Sequence, residues 1–439
     1  MGAKKGLLSF EMKVAKCDVL KDVTHDQLGN EKITLRVRVS SKDHWEYAYS
    51  LTNGLTLLNS RIPIDTSKRD IISELLSVDL SYLASVGSRK GGNVKSVNSL
   101  IRFIETYGFF FELPQKDVYF EVSCVALMRL VLRFQRVVLL LQEYSLMNTD
   151  YIGRKEKVYQ DKEKLKKLAE TRRKAFMWKF DVVYTLLLSD DSLMISDGKQ
   201  SWCCFSHGQE FTSLWYKTQN ENTNEFLRQE IQLYDPETDE MVETYKVDDT
   251  FDKCNYIYPS ELMCHCSDDI EEKMWAQIKE MYVWSDAKVS ICTRYAADLM
   301  YHFACDSALT AEKSGNNVKP KLEISKILVS EKGDLYGRQI DRIIPCFLEN
   351  ELNHTTSNVN ICFDSTRYKP IFNVPDLWTA LHASMLDFQE RGRVYQRCQN
   401  PACNNCFFRS VGKIQPVNCS DRCRKAKSNQ NAKKRQCLL

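Results

Sequence analysis

The sequence predicts an α+β fold: a mixed body with small antiparallel sheets and a helical middle, followed by a C-terminal four-cysteine zinc ribbon. Three observations predict it. Alternating or β-branched runs lie toward both ends, apolar residues recur at helical spacing through the middle, and two close cysteine pairs stand near the C-terminus. The chain has 439 residues, 43% hydrophobic and 27% charged, which is ordinary globular composition with room for two or three domains. Four segments are expected: an N-terminal α/β region at 1–118, a helical region at 119–216, an α+β region at 217–397 that ends in a helix, and the ribbon with a basic tail at 398–439.

Taken in order, Leu8–Val14, Ile33–Val39 and Trp45–Leu51 read as strands separated by polar turns. Val122–Leu141 is the longest apolar run. Arg129, Arg133 and Arg136 interrupt it, each costing about 2.5–3.5 kcal/mol at a bilayer centre, so a membrane span is excluded. Their spacing of four and three puts the arginines on one helical face, opposite Leu127, Leu130, Val131, Phe134 and Val138. Beyond this helix, Lys155–Lys174, charged and rich in helix formers, and the apolar Phe176–Leu188 read as a second helix with a solvated charged stretch, antiparallel to the first. Gln229–Tyr234 and Met241–Val247 face each other across Asp235-Pro236-Glu237-Thr238-Asp239 as a hairpin. Asp269–Val283 and Ala287–Lys313 read as helices, and Asn358–Asp364 with Pro370–Val374 as a further meander. Asp376–Arg391, after Asn373-Val374-Pro375, is a helix that carries the ribbon at its end. Thr218–Asn224 and Ala311–Val318 are the interior breaks.

Cys398-x4-Cys403 and Cys419-x3-Cys423 are separated by fifteen residues. Structural zinc takes four tetrahedral ligands, usually thiolates, and two such pairs supply them without a large scaffold. Asn400-Pro401 turns the chain between the first two sulfurs, and Phe407-Phe408 follow on a short strand that covers the metal. So few residues bury too little apolar surface to fold unaided, and a structural Zn²⁺ supplies the difference. Cys403 and Cys406 form a C-x2-C pair as well, so Cys406 in place of Cys398 is an alternative ligand.

Arg397-Cys398-x-Asn400-Pro401-x-Cys403, then Phe407-Phe408, then Asn418-Cys419-Ser420-Asp421-Arg422-Cys423-Arg424, resembles the C-terminal zinc ribbon of bacterial CGNR-type zinc-finger proteins. The likeness covers about residues 375–436, with Cys423-Arg424-Lys425-Ala426 where those proteins carry Cys-Gly-Asn-Arg. The resemblance implies Cys398, not Cys406, as the ligand, and a transcriptional regulator that binds DNA.

Residues 398–439 hold nine basic side chains and one acid, for a net charge of +8, while the whole chain carries +3 and residues 1–397 therefore −5. A basic tail on a mildly acidic body is the footprint of a module that meets a polyanion, DNA or RNA. Arg422, Arg424, Lys425, Lys427, Lys433, Lys434 and Arg435 are the candidate phosphate contacts, with Arg424, Lys427, Asn431 and Lys434 along one helical face and Asn429, Gln430 and Asn431 as further contacts. The same cations fit an acidic protein surface, which makes a protein-interaction module with a structural ribbon the alternative.

Other groups carry less. Cys264-His265-Cys266 with Cys254, and Cys203-Cys204 with His207, read as packing residues; Gly87–Gly92 reads as a surface loop. H-E-x-x-H, G-x-S-x-G, Walker and kinase signatures are absent, and an all-cysteine zinc site has no open position for water, so no motif supports enzymatic activity. Seventeen cysteines behind an N-terminus with no apolar h-region predict reduced thiols and a cytoplasmic protein.

Overall fold

The computed structural model describes residues 9–25, 31–50, 56–57, 71–83, 94–153, 190–208, 290–305, 309–314, 317–323, 333–364, 369–390, 393–398, 406–410 and 418–436. It also describes scattered single positions between 179 and 278, together with 400 and 403. The readings at Lys155–Lys174, Thr218–Asn224, Gln229–Tyr234, Met241–Val247, Gly87–Gly92, Cys254 and Cys264–Cys266 lie outside the described residues. Two compact units emerge: Met1–Ile152 with Asp191–His207 and Asn350–Leu439, and Gly153–Asp190 with Gly208–Glu349.

The first unit is built on an eight-stranded sheet in the order β6-β5-β4-β2-β1-β10-β9, with β3 pairing β2. β1 (Ser9–His25) and β2 (Glu31–Ser50) form its long antiparallel centre. Ile33–Val39 and, as far as Ser50, Trp45–Leu51, expected as separate strands, belong to this one strand β2. Where the sequence suggested a turn, the register shifts: Ala15 pairs His44 and Cys17 pairs Val39, so the polar residues 40–43 bulge opposite Lys16 and the strand resumes. β3 is Thr56–Leu57. β4 (Phe120–Ser123), β5 (Asp190–Ser196) and β6 (Ser201–Gly208) extend one side. Asp197 closes the β5–β6 turn by accepting from the Lys199 and Gln200 amides at 2.8 Å, and Gly198 supplies the positive φ of 86° that the turn needs. On the other side β10 (Lys369–Asn373) runs parallel to β1 and antiparallel to β9 (Asn360–Asp364), which realises the expected second meander.

Helices cover the inner face. α1 (Ile71–Leu76) and α2 (Val94–Tyr107) pack together, and α2 lies on β1 and ends at Gly108, whose amide reaches Ile104 O at 2.8 Å with φ 90°. α3 (Cys124–Gly153) begins two residues later than the apolar run, because Phe120–Ser123 has joined the sheet. The expected single arginine face is corrected here. Arg129 is exposed, but Arg133 is buried, only 2% exposed, so the three arginines do not share one solvated face. α6 in chain order, after two helices described below, is Leu377–Glu390. Asp376 caps it by accepting from Thr379 N at 2.7 Å, and Trp378 is the hub of the core, 5.6–5.8 Å in centroid distance from Phe110, Phe134 and Phe205.

The second unit holds α4 (Ile291–Cys305) and the hairpin of β7 (Leu309–Ser314) and β8 (Asn317–Leu322). The helix expected over Ala287–Lys313 thus stops at Cys305, and Leu309–Ser314 instead pairs with Asn317–Leu322 as strands. Ser290 caps α4, and Glu210 accepts from both Ser290 N (2.9 Å) and Thr293 Oγ1 (2.5 Å). α5 (Gly333–Thr356) went unread in the sequence although Ile340, Ile343, Ile344, Phe347 and Leu348 are buried at helical spacing. Pro345 inside the helix masks that period. Its last seven residues, from Asn350, belong to the first unit.

Candidate metal centre and basic helix

β11 (Arg393–Arg397) and β12 (Cys406–Ser410) form an antiparallel hairpin with Arg397 opposite Cys406. The hairpin is anchored: Tyr395 is 7% exposed, its amide donates to Gln142 Oε1 of α3 at 3.0 Å, and β12 lies against α1. Cys398 leaves the end of β11 and is 8% exposed. Cys403 N donates to Asn400 O at 2.9 Å, the turn expected from Asn400-Pro401. On the other side Ser420 caps α7 (Asp421–Gln436), accepting from Cys423 N at 3.3 Å while its carbonyl receives Arg424 N at 3.0 Å. This cap puts Cys423 in the first turn of the helix and Cys419 just before it.

The ligand atoms of Cys398, Cys403, Cys419 and Cys423 all lie within 4.8 Å of one another, and this is the one group of its kind among the described residues. Sγ–Sγ separations are 3.6 Å for Cys403–Cys419 and 3.6 Å for Cys419–Cys423. A tetrahedral site with metal–sulfur bonds of about 2.3 Å has edges of about 3.8 Å, so a four-thiolate metal fits with little movement. The four cysteines can therefore hold a metal ion. Cys406 opens β12, and its side chain lies outside the described residues.

The thiols are electrostatically unequal. Hydrogen bonds from Ser420 and Asn400 hold Cys423 down to about 6, whereas burial and its sulfur neighbours push Cys419 up to about 12. Within the cluster Cys419 Sγ lies 3.6 Å from Cys423 Sγ and donates to it. A bound cation would replace the thiol protons at the centre. Asn418, 8% exposed with its Oδ1 3.9 Å from Cys398 Sγ, supports the first knuckle. Ser420, Asn400 and Asn418 were not singled out for this role in the sequence, although a serine three residues before Cys423 is a readable cap.

Arg422, Arg424 and Lys425 are exposed on α7, while Lys427, Lys433, Lys434 and Arg435 occupy positions further along the same helix. Arg424 reaches Asp421 at 3.1 Å in a solvent-facing pair. The structure thus joins the metal cluster and the basic residues through one element, the helix whose first turn holds a ligand.

A second polar cluster, invisible in the sequence, lies in the core of the first unit. Arg133 donates from Nε to Glu351 Oε1 (2.7 Å), from Nη2 to Oε2 (2.6 Å), and from Nη1 to Asp191 (3.0 Å) and His207 O (3.4 Å). His207 Nε2 is 2.9 Å from Glu351 Oε2, and His354 stacks on His207 with centroids 4.0 Å apart. The paired guanidinium holds Glu351 well below the usual carboxylate range despite burial. The Cys203-Cys204-His207 group does not converge: Cys203 is exposed, Cys204 half-buried, and His207 belongs to this clamp.

Among the described residues no helix is long and apolar enough to cross a membrane. No protein-family model, curated protein or solved structure matches the chain.

Proposed function

We propose that this protein binds zinc through Cys398, Cys403, Cys419 and Cys423 and uses the zinc-held ribbon to present α7 to the phosphates of nucleic acid, in the manner of a regulator. One observation carries the reading: four thiols converge at the spacing of a tetrahedral site, and a helix rich in exposed cations starts inside that cluster. With four cysteine ligands the zinc has no open position, so its part is structural. The resemblance to CGNR-type ribbons agrees with this assignment.

Two measurements test it. Zinc content should be about one per chain and should vanish in Cys419→Ser/Cys423→Ser; Cys406→Ser should retain it, and loss there would move the ligand from Cys398 to Cys406. Nucleic-acid affinity should fall steeply with salt, with a log–log slope of about −0.9 per phosphate contact on duplex DNA, and should disappear on truncation before Cys398. Undetectable affinity at low salt would favour the other reading, in which the cations of α7 meet an acidic protein surface.

A further inference from the structure

Resting on the phosphate-binding reading, we infer that α7 is shaped to lie in the major groove of duplex DNA, rather than on single strands or an RNA duplex. α7 spans 16 residues, and apart from Cys423 its apolar positions are Ala426 and Ala432 alone. It has no stripe with which to pack on protein, and it makes no extensive contact with any other described element. Asp421, Arg422, Arg424, Lys425, Ser428 and Asn429 are all exposed. The helix is held at its start by the Ser420 cap and the cysteine cluster, and the six exposed side chains lie within its first nine residues.

The charge along this helix is not one-sided. At about 100° per residue, positions 422, 424, 425, 427, 433, 434 and 435 leave no sector wider than about 100° without a cation. The single face expected for Arg424, Lys427, Asn431 and Lys434 is thus only part of the array. On a flat acidic surface, or beside one strand of phosphates, the cations on the far side would have no anion to meet. Those cations find partners only where phosphates flank the helix on both sides at about its own diameter of 10–12 Å, and the B-DNA major groove, about 12 Å wide, has that geometry. The A-form major groove is too narrow for side chains to read. Single-strand binding relies on aromatic platforms, and residues 421–436 contain no Phe, Tyr or Trp.

The middle of the helix completes the fit. Asn429 is exposed, and Gln430 and Asn431 follow it. Side-chain amides pair bidentately with the N6/N7 edge of adenine, which only the major groove presents. The partner is thus a B-form duplex with adenine on the groove floor and phosphates along both walls.

The test uses the full zinc-loaded chain and fluorescence anisotropy at fixed salt, with a DNA duplex, the RNA duplex of the same sequence and the single DNA strand. The DNA duplex should bind at least about tenfold more tightly than either alternative. Methyl green, which occupies the major groove, should compete, and netropsin, which occupies the minor groove, should not. Asn429→Ala/Asn431→Ala should erase a preference for adenine-containing duplexes without changing the salt slope, while circular dichroism shows α7 still helical. Equal affinity for RNA duplex or single strand, or competition by netropsin alone, would overturn the groove assignment and leave phosphate binding standing. Absence of binding to all three would remove both.

Discussion

At Arg133 a guanidinium 2% exposed is met by two carboxylates and a backbone carbonyl, whereas on α7 the exposed Arg422 and Lys425 have no ion-pair partner among the described residues. Both regions are built from cations at helical spacing. In the core, solvent is excluded and each charge needs a partner from the chain itself, because an unpaired buried ion costs several kcal/mol. On α7 water solvates the exposed charges at little cost, and the Arg424–Asp421 pair is itself solvent-facing. The difference teaches that charge in a sequence reads as function only where the fold leaves it unspent.

The comparison breaks most sharply at Glu351. Glu351→Ala strands Arg133 without its bidentate partner and should destabilise the protein by about 3–5 kcal/mol in denaturant unfolding. Adding Arg133→Met to the Glu351→Ala chain should recover much of that loss, since an apolar pair removes the buried charge altogether. A small effect of the single change would mean that water reaches the clamp.

Acid tests the same core next. His382 is buried and its Nδ1 donates to Trp378 O at 2.9 Å, while its Nε2 has no hydrogen-bond partner among the described residues; burial drops it to about 4. As pH falls below about 6.5 the unfolded chain takes a proton that the folded one refuses, so stability should fall by about 1.4 kcal/mol per unit down to pH about 4. The lowered His354 acts in the same direction. Glu351, depressed by Arg133, holds its contribution above the ordinary carboxylate value of about 4.5 and loses it only as pH drops further. In His382→Leu the slope between pH 6.5 and 4 should flatten, as read by thermal unfolding across buffers. An unchanged slope would assign the acid response elsewhere.

On α7 the expected effects are smaller and confined. If the four cysteines hold a metal, a chelator should lower helical circular dichroism, because a polar helix of this length is marginal alone, and should leave the main unfolding transition in place. Coupled loss of that transition would show that the ribbon supports the body. Smallest of all, Arg424→Gln should not change stability measurably despite its 3.1 Å pair with Asp421, since the side chains are 69% and 83% exposed. Its effect should appear only in the salt dependence of binding.

Legibility differed between the same two regions. The cysteine spacing and tail charge could be read directly, because a metal knuckle and a terminal helix are local: ligands, turn and cap fall within 26 residues, Cys398 to Cys423. The α+β character, the Asn360–Asp364/Lys369–Asn373 hairpin and the helix after Pro375 were read for the same reason, since periodicity and turn residues act over short spans. Arg133 shows the limit. Its spacing with Arg129 and Arg136 implied a solvated face, and only the arrival of Glu351, 218 residues away, makes burial tolerable.

What the sequence by itself determined was therefore the local chemistry: a four-thiolate cluster at Cys398, Cys403, Cys419 and Cys423, a basic stretch starting inside it, and a chain able to bury a core. The tertiary structure alone decided the long-range pairings. It set β1 parallel to β10, bulged residues 40–43 out of β2 in place of a turn, and turned one arginine of three inward. The physical reason is common to all three. Each depends on a partner far along the chain, whose hydrogen bonds or charge offset a local cost that no short window of sequence reveals.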